Sequence, residues 1–283
     1  MLLVLSTTTT LVAGLAGMLL MAIAISAGPL MPRAELAFVS YHDAQSDIVV
    51  YDATRDLRHN LTHSRAYELT PAWSPDGEQI AFVSDRAAGL HIYVMDAYGG
   101  HLRRLTPPGR AYEAPRWSAD GTRLAFIARG SAGADVFIIN ADGTGFEQVS
   151  GETTDPGSIM LELGLDTPAA SGPQSPAGAR FLNVDFVEHT GWALMISQSA
   201  GAPGELLAPL GRNFGEIFAL SWSPDGQRIA YLSSSDGQVD VYTIAPEPGS
   251  IPQRVTRTPA YESSPVWRPL ASPAAGENSS TPP

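Results

Sequence analysis

Trp73-Ser74-Pro75-Asp76-Gly77-Glu78-Gln79-Ile80-Ala81-Phe82-Val83-Ser84 returns twice along the chain with little change. Trp117 opens Trp-Ser-Ala-Asp-Gly-Thr-Arg-Leu-Ala-Phe-Ile-Ala, and Trp222 opens Trp-Ser-Pro-Asp-Gly-Gln-Arg-Ile-Ala-Tyr-Leu-Ser. Trp267 starts a fourth copy that stops at Arg268-Pro269. Trp73 and Trp117 lie 44 residues apart, Trp222 and Trp267 45. Two further columns keep the step of 44: Ala37-Phe38-Val39, Ala81-Phe82-Val83 and Ala125-Phe126-Ile127, and then Leu61-Thr62, Leu105-Thr106 and Val149-Ser150. Three columns in one register mark a repeated structural unit.

Each unit reads as four short strands. The first ends in the Trp, as in Thr70-Pro71-Ala72-Trp73. A Ser-Pro-Asp-Gly turn follows, in which Pro presets φ, Asp caps the turn and Gly supplies a positive φ. Gln79 to Ser84 is the second strand and His91 to Asp96 the third, the latter matched by Asp47–Asp52, Asp135–Asn140 and Asp240–Ala245. The fourth strand ends at the Leu-Thr column. Runs such as Ile92-Tyr93-Val94-Met95 are apolar on both sides. A sheet sandwiched between two other sheets needs that pattern, whereas a sheet with one wet face would alternate. Four strands on a period near 44 predict an all-β propeller.

The column residues have physical readings. Ala37, Ala81, Ala125, Ala193 and Ala230 are assigned to crowded positions near the hub, where a larger side chain would overpack by roughly 1–3 kcal/mol. Trp73, Trp117, Trp222 and Trp267 are expected to fill the space between neighbouring blades, with Phe186 taking that role in a decayed unit. The units are then 67–106, 111–149, a degenerate 180–210 and 217–256. Residues 35–62 lack a Trp strand, and 261–268 supply only one, so the two ends are expected to share one sheet that closes the ring. Closure removes two exposed edges. The propeller spans 35–268 with five blades, or six if the inserted loop 151–180 hides strands. Residues 269–283 have the composition of a disordered tail.

The chain has 283 residues, no cysteine, and 17 basic against 29 acidic side chains, a formal charge of −12. All the basic residues are Arg. Disulfides, thiolate metal sites, cysteine nucleophiles and Lys-based phosphate chemistry are therefore excluded. The acidic balance argues against nucleic acid as a partner. No charged side chain precedes Arg33, and Leu11 to Ala27 is apolar but for Gly and one Ser. Residues 1–32 read as a transmembrane anchor or as a signal peptide cleaved near Ala24-Ile25-Ser26.

Pro71-Ala72-Trp73-Ser74-Pro75-Asp76-Gly77, followed by Ile80-Ala81-Phe82 and Ile92-Tyr93-Val94-Met95-Asp96, resembles the TolB-type, WD-like propeller repeat of bacterial envelope proteins. The likeness covers about residues 35–268 and is to the propeller alone, without the α/β domain that precedes it in TolB. It implies a β-propeller that binds partner proteins outside the cytoplasmic membrane. Similar propellers also precede the catalytic domain of prolyl-oligopeptidase-like serine peptidases, but no Gly-x-Ser-x-Gly elbow occurs here.

A further recurrence precedes the Trp strands: Tyr67-Glu68, Tyr112-Glu113 and Tyr261-Glu262, with Glu216 a looser fourth. Blade-linking loops cluster around one channel mouth, so these residues are candidate ligand-binding groups: a negative funnel with aromatic contact surface. The plainer alternative has each Tyr packed on the next blade and each Glu solvated. Asp76, Asp120 and Asp225 read as turn caps, and Asp47, Asp135 and Asp240 as partners of the adjacent loop. No metal, cofactor or catalytic set is expected. The sequence thus points to a monomeric, non-catalytic propeller binding an envelope protein, peptide or glycan through its channel-mouth face, from an anchored, periplasmic or secreted location. The alternatives are a hydrolase or lyase using channel carboxylates, and an envelope sensor or scaffold.

Overall fold

The computed structural model describes residues 34–129, 133–153, 158–159, 175–178, 180–211, 220–234 and 237–270. Residues 1–32, Glu216 and the tail beyond residue 270 lie outside them. Among the described residues no helix is long and apolar enough to cross a membrane.

The described chain is all-β. β1 (Glu35–His42), β2 (Gln45–Asp52) and β3 (Leu57–Asn60) form a meander. β4 (Glu68–Trp73), β5 (Gln79–Ser84), β6 (His91–Asp96) and β7 (Arg103–Arg104) make a second sheet. β8 (Tyr112–Trp117), β9 (Arg123–Arg129), β10 (Ala134–Asn140) and β11 (Glu147–Thr153) make a third. β12 (Phe181–Val187), β13 (Gly191–Ser197) and β14 (Glu205–Gly211) form a three-stranded fourth sheet. The fifth holds β15 (Ser221–Trp222), β16 (Ile229–Ser233), β17 (Asp240–Ile244) and β18 (Gln253–Arg254). The last strand, β19 (Tyr261–Trp267), pairs antiparallel with β1 and completes the first sheet, in the order β19-β1-β2-β3.

The Ser-x-x-Gly turns carry the repeat. Gly77 N–H donates to Ser74 O (2.8 Å), and Gln79 N–H donates to the Ser74 hydroxyl (2.9 Å). Asp76 accepts from the Ser74 hydroxyl at 2.6 Å and from Glu78 N–H at 3.0 Å. Gly77 sits at φ 72°, where any other residue is strained. The same bonds recur at Ser118–Gly121 and Ser223–Gly226.

The sheets bury both faces against their neighbours, as the unbroken apolar strands require. Ala37, Val39 and Val50 of sheet 1 pack on Trp73, Ile80 and Phe82 of sheet 2. Ala81 and Val94 pack on Trp117 and Phe126 of sheet 3. Leu36 and Trp267 of sheet 1 meet Ala230 and Leu232 of sheet 5, and Leu182 and Leu194 of sheet 4 meet Trp222 and Tyr231. The sheets thus follow one another as 4-5-1-2-3. Burying one such large apolar side chain is worth about 1.5–3 kcal/mol.

The tryptophans add a directional link. Trp73, Trp117 and Trp267 each donate the indole N–H to the residue before the Trp position of the preceding sheet: Val266 O (3.2 Å), Ala72 O (3.0 Å) and Ser221 O (2.9 Å). Trp222 is fully buried, yet its Nε1 has no such partner among the described residues.

Sheet 4 departs from the sequence reading. Phe186 does not occupy the Trp position; it is 64% exposed near the end of β12 and pairs with Trp192. β12 instead follows Ser175-Pro176-Ala177-Gly178, which makes the same turn as Ser74–Gly77: Gly178 N–H to Ser175 O and Ser175 N–H to Arg180 O, both 2.8 Å. The Trp column of this unit is therefore position 174, a Gln. Ala193 is buried but lies on β13, the unit's third strand, and Leu182 takes the second-strand place. The stretch 151–180 is accordingly not all loop, since β11 reaches Thr153 and 175–178 is the turn. Loss of the turn Asp to Ala177 had hidden the motif, and spacing between apolar residues alone aligned the wrong strand.

Candidate functional site

The described candidate residues stand at the junctions between sheets, at the start of β4, β8 and β19, with Tyr67 just before β4. Counting from the Trp shows a register the sequence reading missed. Glu68 and Glu262 lie five residues before Trp73 and Trp267, but Tyr112, not Glu113, lies five before Trp117. The ladders agree: Glu68 pairs with Ser84, Tyr112 with Ala128 and Glu262 with Ser40. The Tyr-Glu recurrence is thus not one structural column. Tyr112 takes the place of a carboxylate, and Glu113 points elsewhere to pair with Arg129.

Each residue of this column faces the residue that opens the third strand of the preceding sheet. At the junction of sheets 1 and 2, Asp47 accepts from Thr62 Oγ1 (2.8 Å), Asn60 Nδ2 (2.8 Å) and Ser64 N–H (3.0 Å). Burial would push its carboxyl up, but these donors outweigh burial and hold it below the usual range. Opposite stands Glu68, with no exposed surface. Its backbone is clamped by Ser46, whose hydroxyl donates to Glu68 O and accepts from Glu68 N–H. Its Oε1 accepts from Ser64 Oγ (2.5 Å) and from Arg86 Nη2 (2.7 Å). Burial raises its carboxyl in spite of those donors. Arg86 also lies over the Phe82 and Tyr93 rings.

At the junction of sheets 2 and 3 a His and a Tyr replace the two acids. His91 takes the Asp47 position, 3.2 Å from Thr106 Oγ1, and its ring lies 6.1 Å from that of buried Tyr112. At the junction of sheets 5 and 1, Asp240 pairs with Arg254 at 2.5 Å, and Glu262, also without exposed surface, lies across from it.

The predicted funnel of carboxylates is therefore not what these residues build. Glu68 and Glu262 are enclosed between sheets, where a substrate does not reach them. What remains at the surface is aromatic. Tyr67 and Tyr261, equivalent in register, are 40% and 39% exposed. Tyr261 meets Tyr41 edge-on at 5.6 Å between ring centres, and Tyr67 N–H donates to Asp85 Oδ1 (2.8 Å). Ser64, Arg65, Ala66, Asp85 and Arg86 line an open cleft beside Tyr67. Tyr41, Asp85 and Arg86 were absent from the sequence reading, because positions 41, 85 and 129 differ in type between repeats and leave no column to detect. Among the described residues no group of three His, Cys, Asp or Glu is set to hold a metal ion.

The family described as TolB beta propeller domain matches residues 21–160. No curated protein matches the sequence. Among solved structures, TolB from Acinetobacter baumannii is 19% identical, with 84% of this chain and 56% of that chain covered and a TM-score of 0.39. A putative TolB from Agrobacterium tumefaciens is 16% identical over 80% of this chain and 70% of that chain, with a TM-score of 0.31. Hydrazine synthase from Kuenenia stuttgartiensis is 12% identical over 85% of this chain and 47% of that chain, with a TM-score of 0.51. At 12% identity the last of these likenesses speaks for the fold alone, and the chain spans about half the length of the first and third of these structures.

Proposed function

Residues 21–160 belong to the TolB β-propeller family, and on that premise we propose that the chain is a non-catalytic binding propeller which docks a protein or peptide partner on the face bearing Tyr41, Tyr67 and Tyr261. The observation that carries the reading is the division of labour within each Tyr-Glu pair at equivalent register. Glu68 and Glu262 are consumed inside the junctions, whereas Tyr67 and Tyr261 keep about two-fifths of their surface in solvent. Exposed tyrosines supply large, rigid contact area at low entropy cost and are enriched in interfaces. Burial of both carboxylates weighs against a hydrolase or lyase acting through them. A five-bladed ring fits the sheet order 4-5-1-2-3, and residues 1–32 would anchor it to the outer side of the cytoplasmic membrane or export it.

The test is affinity capture from an envelope extract with the immobilised full chain, compared with a Tyr67→Ser/Tyr261→Ser double variant. A partner lost with the double variant, at unchanged melting temperature, supports the reading. A partner retained undiminished overturns it.

A further inference from the structure

Between sheets 5 and 1, two carboxyl groups share one hydroxyl. Thr256 Oγ1 lies 2.9 Å from Asp240 Oδ1 and 3.2 Å from Glu262 Oε2. Neither acid has exposed surface. A threonine hydroxyl carries one hydrogen and two lone pairs. One lone pair accepts Val241 N–H at 3.0 Å. The hydrogen belongs to Asp240 at the shorter distance. The hydroxyl donates to Glu262 Oε2 only by turning away from Asp240; with its hydrogen on Asp240, the 3.2 Å contact is kept when Glu262 is protonated and donates to the remaining lone pair.

The surroundings favour the same assignment. Asp240 is served by Arg254 Nη2 on Oδ2 (2.5 Å) and by Gln238 Nε2 on Oδ1 (3.3 Å). Glu262 Oε1 receives only the long contacts of Ser40 Oγ (3.5 Å) from β1 and Thr258 Oγ1 (3.4 Å) from the loop after β18. The equivalent acid, Glu68, has Arg86, but the matching position on sheet 1 is His42. Its Nε2 turns instead to Gln45 (2.9 Å) and Asp47 (3.4 Å). Among the described residues the charged groups facing Glu262 across this junction are Asp240 on β17 and Arg254 on β18, and the arginine donates to Asp240. Glu262 stands on β19, the strand that completes the first sheet, and its N–H donates across the junction to Val239 O (3.4 Å).

We propose that Glu262 and Asp240 form a proton-operated latch on β19: protonated, Glu262 ties sheet 5 to sheet 1, and ionised, it faces a second carboxylate and loosens the closing strand. Burial first, and the Asp240 charge second, push the Glu262 carboxyl up to about 7. Because the folded value is raised, closure is tightest in acid and weakens as pH climbs from 4.5 to about 7. If opening restores an ordinary carboxyl, the opening equilibrium rises by on the order of a hundredfold across that window. The latch is independent of whether the tyrosine face binds a partner.

Hydrogen exchange on the full chain tests it, at about pH 4.5, 5.5, 7 and 8.5 with intrinsic rates corrected, a series that spans the window from the ordinary to the raised value and the plateau above it. Peptides covering 261–267 are expected to lose protection as pH rises, by roughly thirtyfold between pH 5.5 and 8.5, while 123–129 in sheet 3, where Tyr112 holds the matching position, does not, and Glu262→Gln removes the difference. An equal pH response in both strands, or one unchanged in Glu262→Gln, overturns the latch. Should that variant not fold, Asp240→Asn is expected to shrink the response without abolishing it, because burial still raises the Glu262 carboxyl; a response left undiminished overturns the latch. Carboxyl NMR of the unaltered chain is an independent check: a Glu262 midpoint near 7 supports the latch and one near 4.5 refutes it.

Discussion

Arg268 and Glu35, 233 positions apart, form an ion pair of 2.5 Å that fastens the last strand to the first. The backbone joins them as well, with Arg268 N–H donating to Glu35 O at 2.7 Å. Arg268 stands where other repeats have the turn serine. It reaches into sheet 2, donating to Glu78 Oε1 (3.0 Å) and lying 5.3 Å from the centre of the Trp73 ring.

Arg268→Ala would leave the Glu35 carboxylate buried without its cation. Breaking a buried pair from one side costs about 3–5 kcal/mol. Urea unfolding should show a loss of that order, and the Arg268→Ala/Glu35→Gln double variant should lose less than the sum of the singles. Strict additivity would deny the pairing. Deleting 261–283 should go further, baring the edge of β1 and driving association visible by size exclusion.

The tryptophans are not equal in what they bond. Trp117 gives its indole N–H to Ala72 O, and Trp222 has no partner for its own among the described residues. Trp117→Phe should therefore cost about 1 kcal/mol more than Trp222→Phe, the net worth of one hydrogen bond. Trp73→Ala should cost roughly 3–5 kcal/mol through the cavity it leaves. Thermal melts of the three variants rank them.

Glu68→Gln and Tyr67→Ser separate framework from surface. Weakening the partner of Arg86 in a closed junction should lower stability by about 1–3 kcal/mol, while an exposed Tyr67→Ser should stay within about 0.5 kcal/mol. Equal losses would show that Tyr67 also belongs to the framework.

One turn aspartate, Asp120, contributes to the acid limb of stability. Donation by the Ser118 hydroxyl, then by Thr122 N–H and hydroxyl, holds the Asp120 carboxyl down at about 2. A depressed folded value stabilises above the ordinary 3.8 and is lost as pH falls toward about 2. Asp120→Asn should flatten the melting temperature between about pH 4 and pH 2; a curve parallel to that of the unaltered chain would exclude the turn as the cause.

The repeat itself settled much before any coordinates. Its period, its Ser-Pro-Asp-Gly turns and its two-sided apolar strands are local properties, written in residues that touch within one hairpin, and they were enough to predict four-stranded sheets. The contents of the junctions were decided only in three dimensions. Whether Glu68 faces solvent depends on Ser46 and Arg86, and whether Glu262 keeps its proton depends on Asp240 and Thr256 from another sheet. A slip of one residue put Tyr112 where a carboxylate was expected; counting back from Trp117 reveals it, and it decides the contents of the junction because a β-strand turns every side chain to the opposite face with each step. Burial and charge pairing belong to surfaces brought together by folding, whereas the periodicity that folds them lies along the chain.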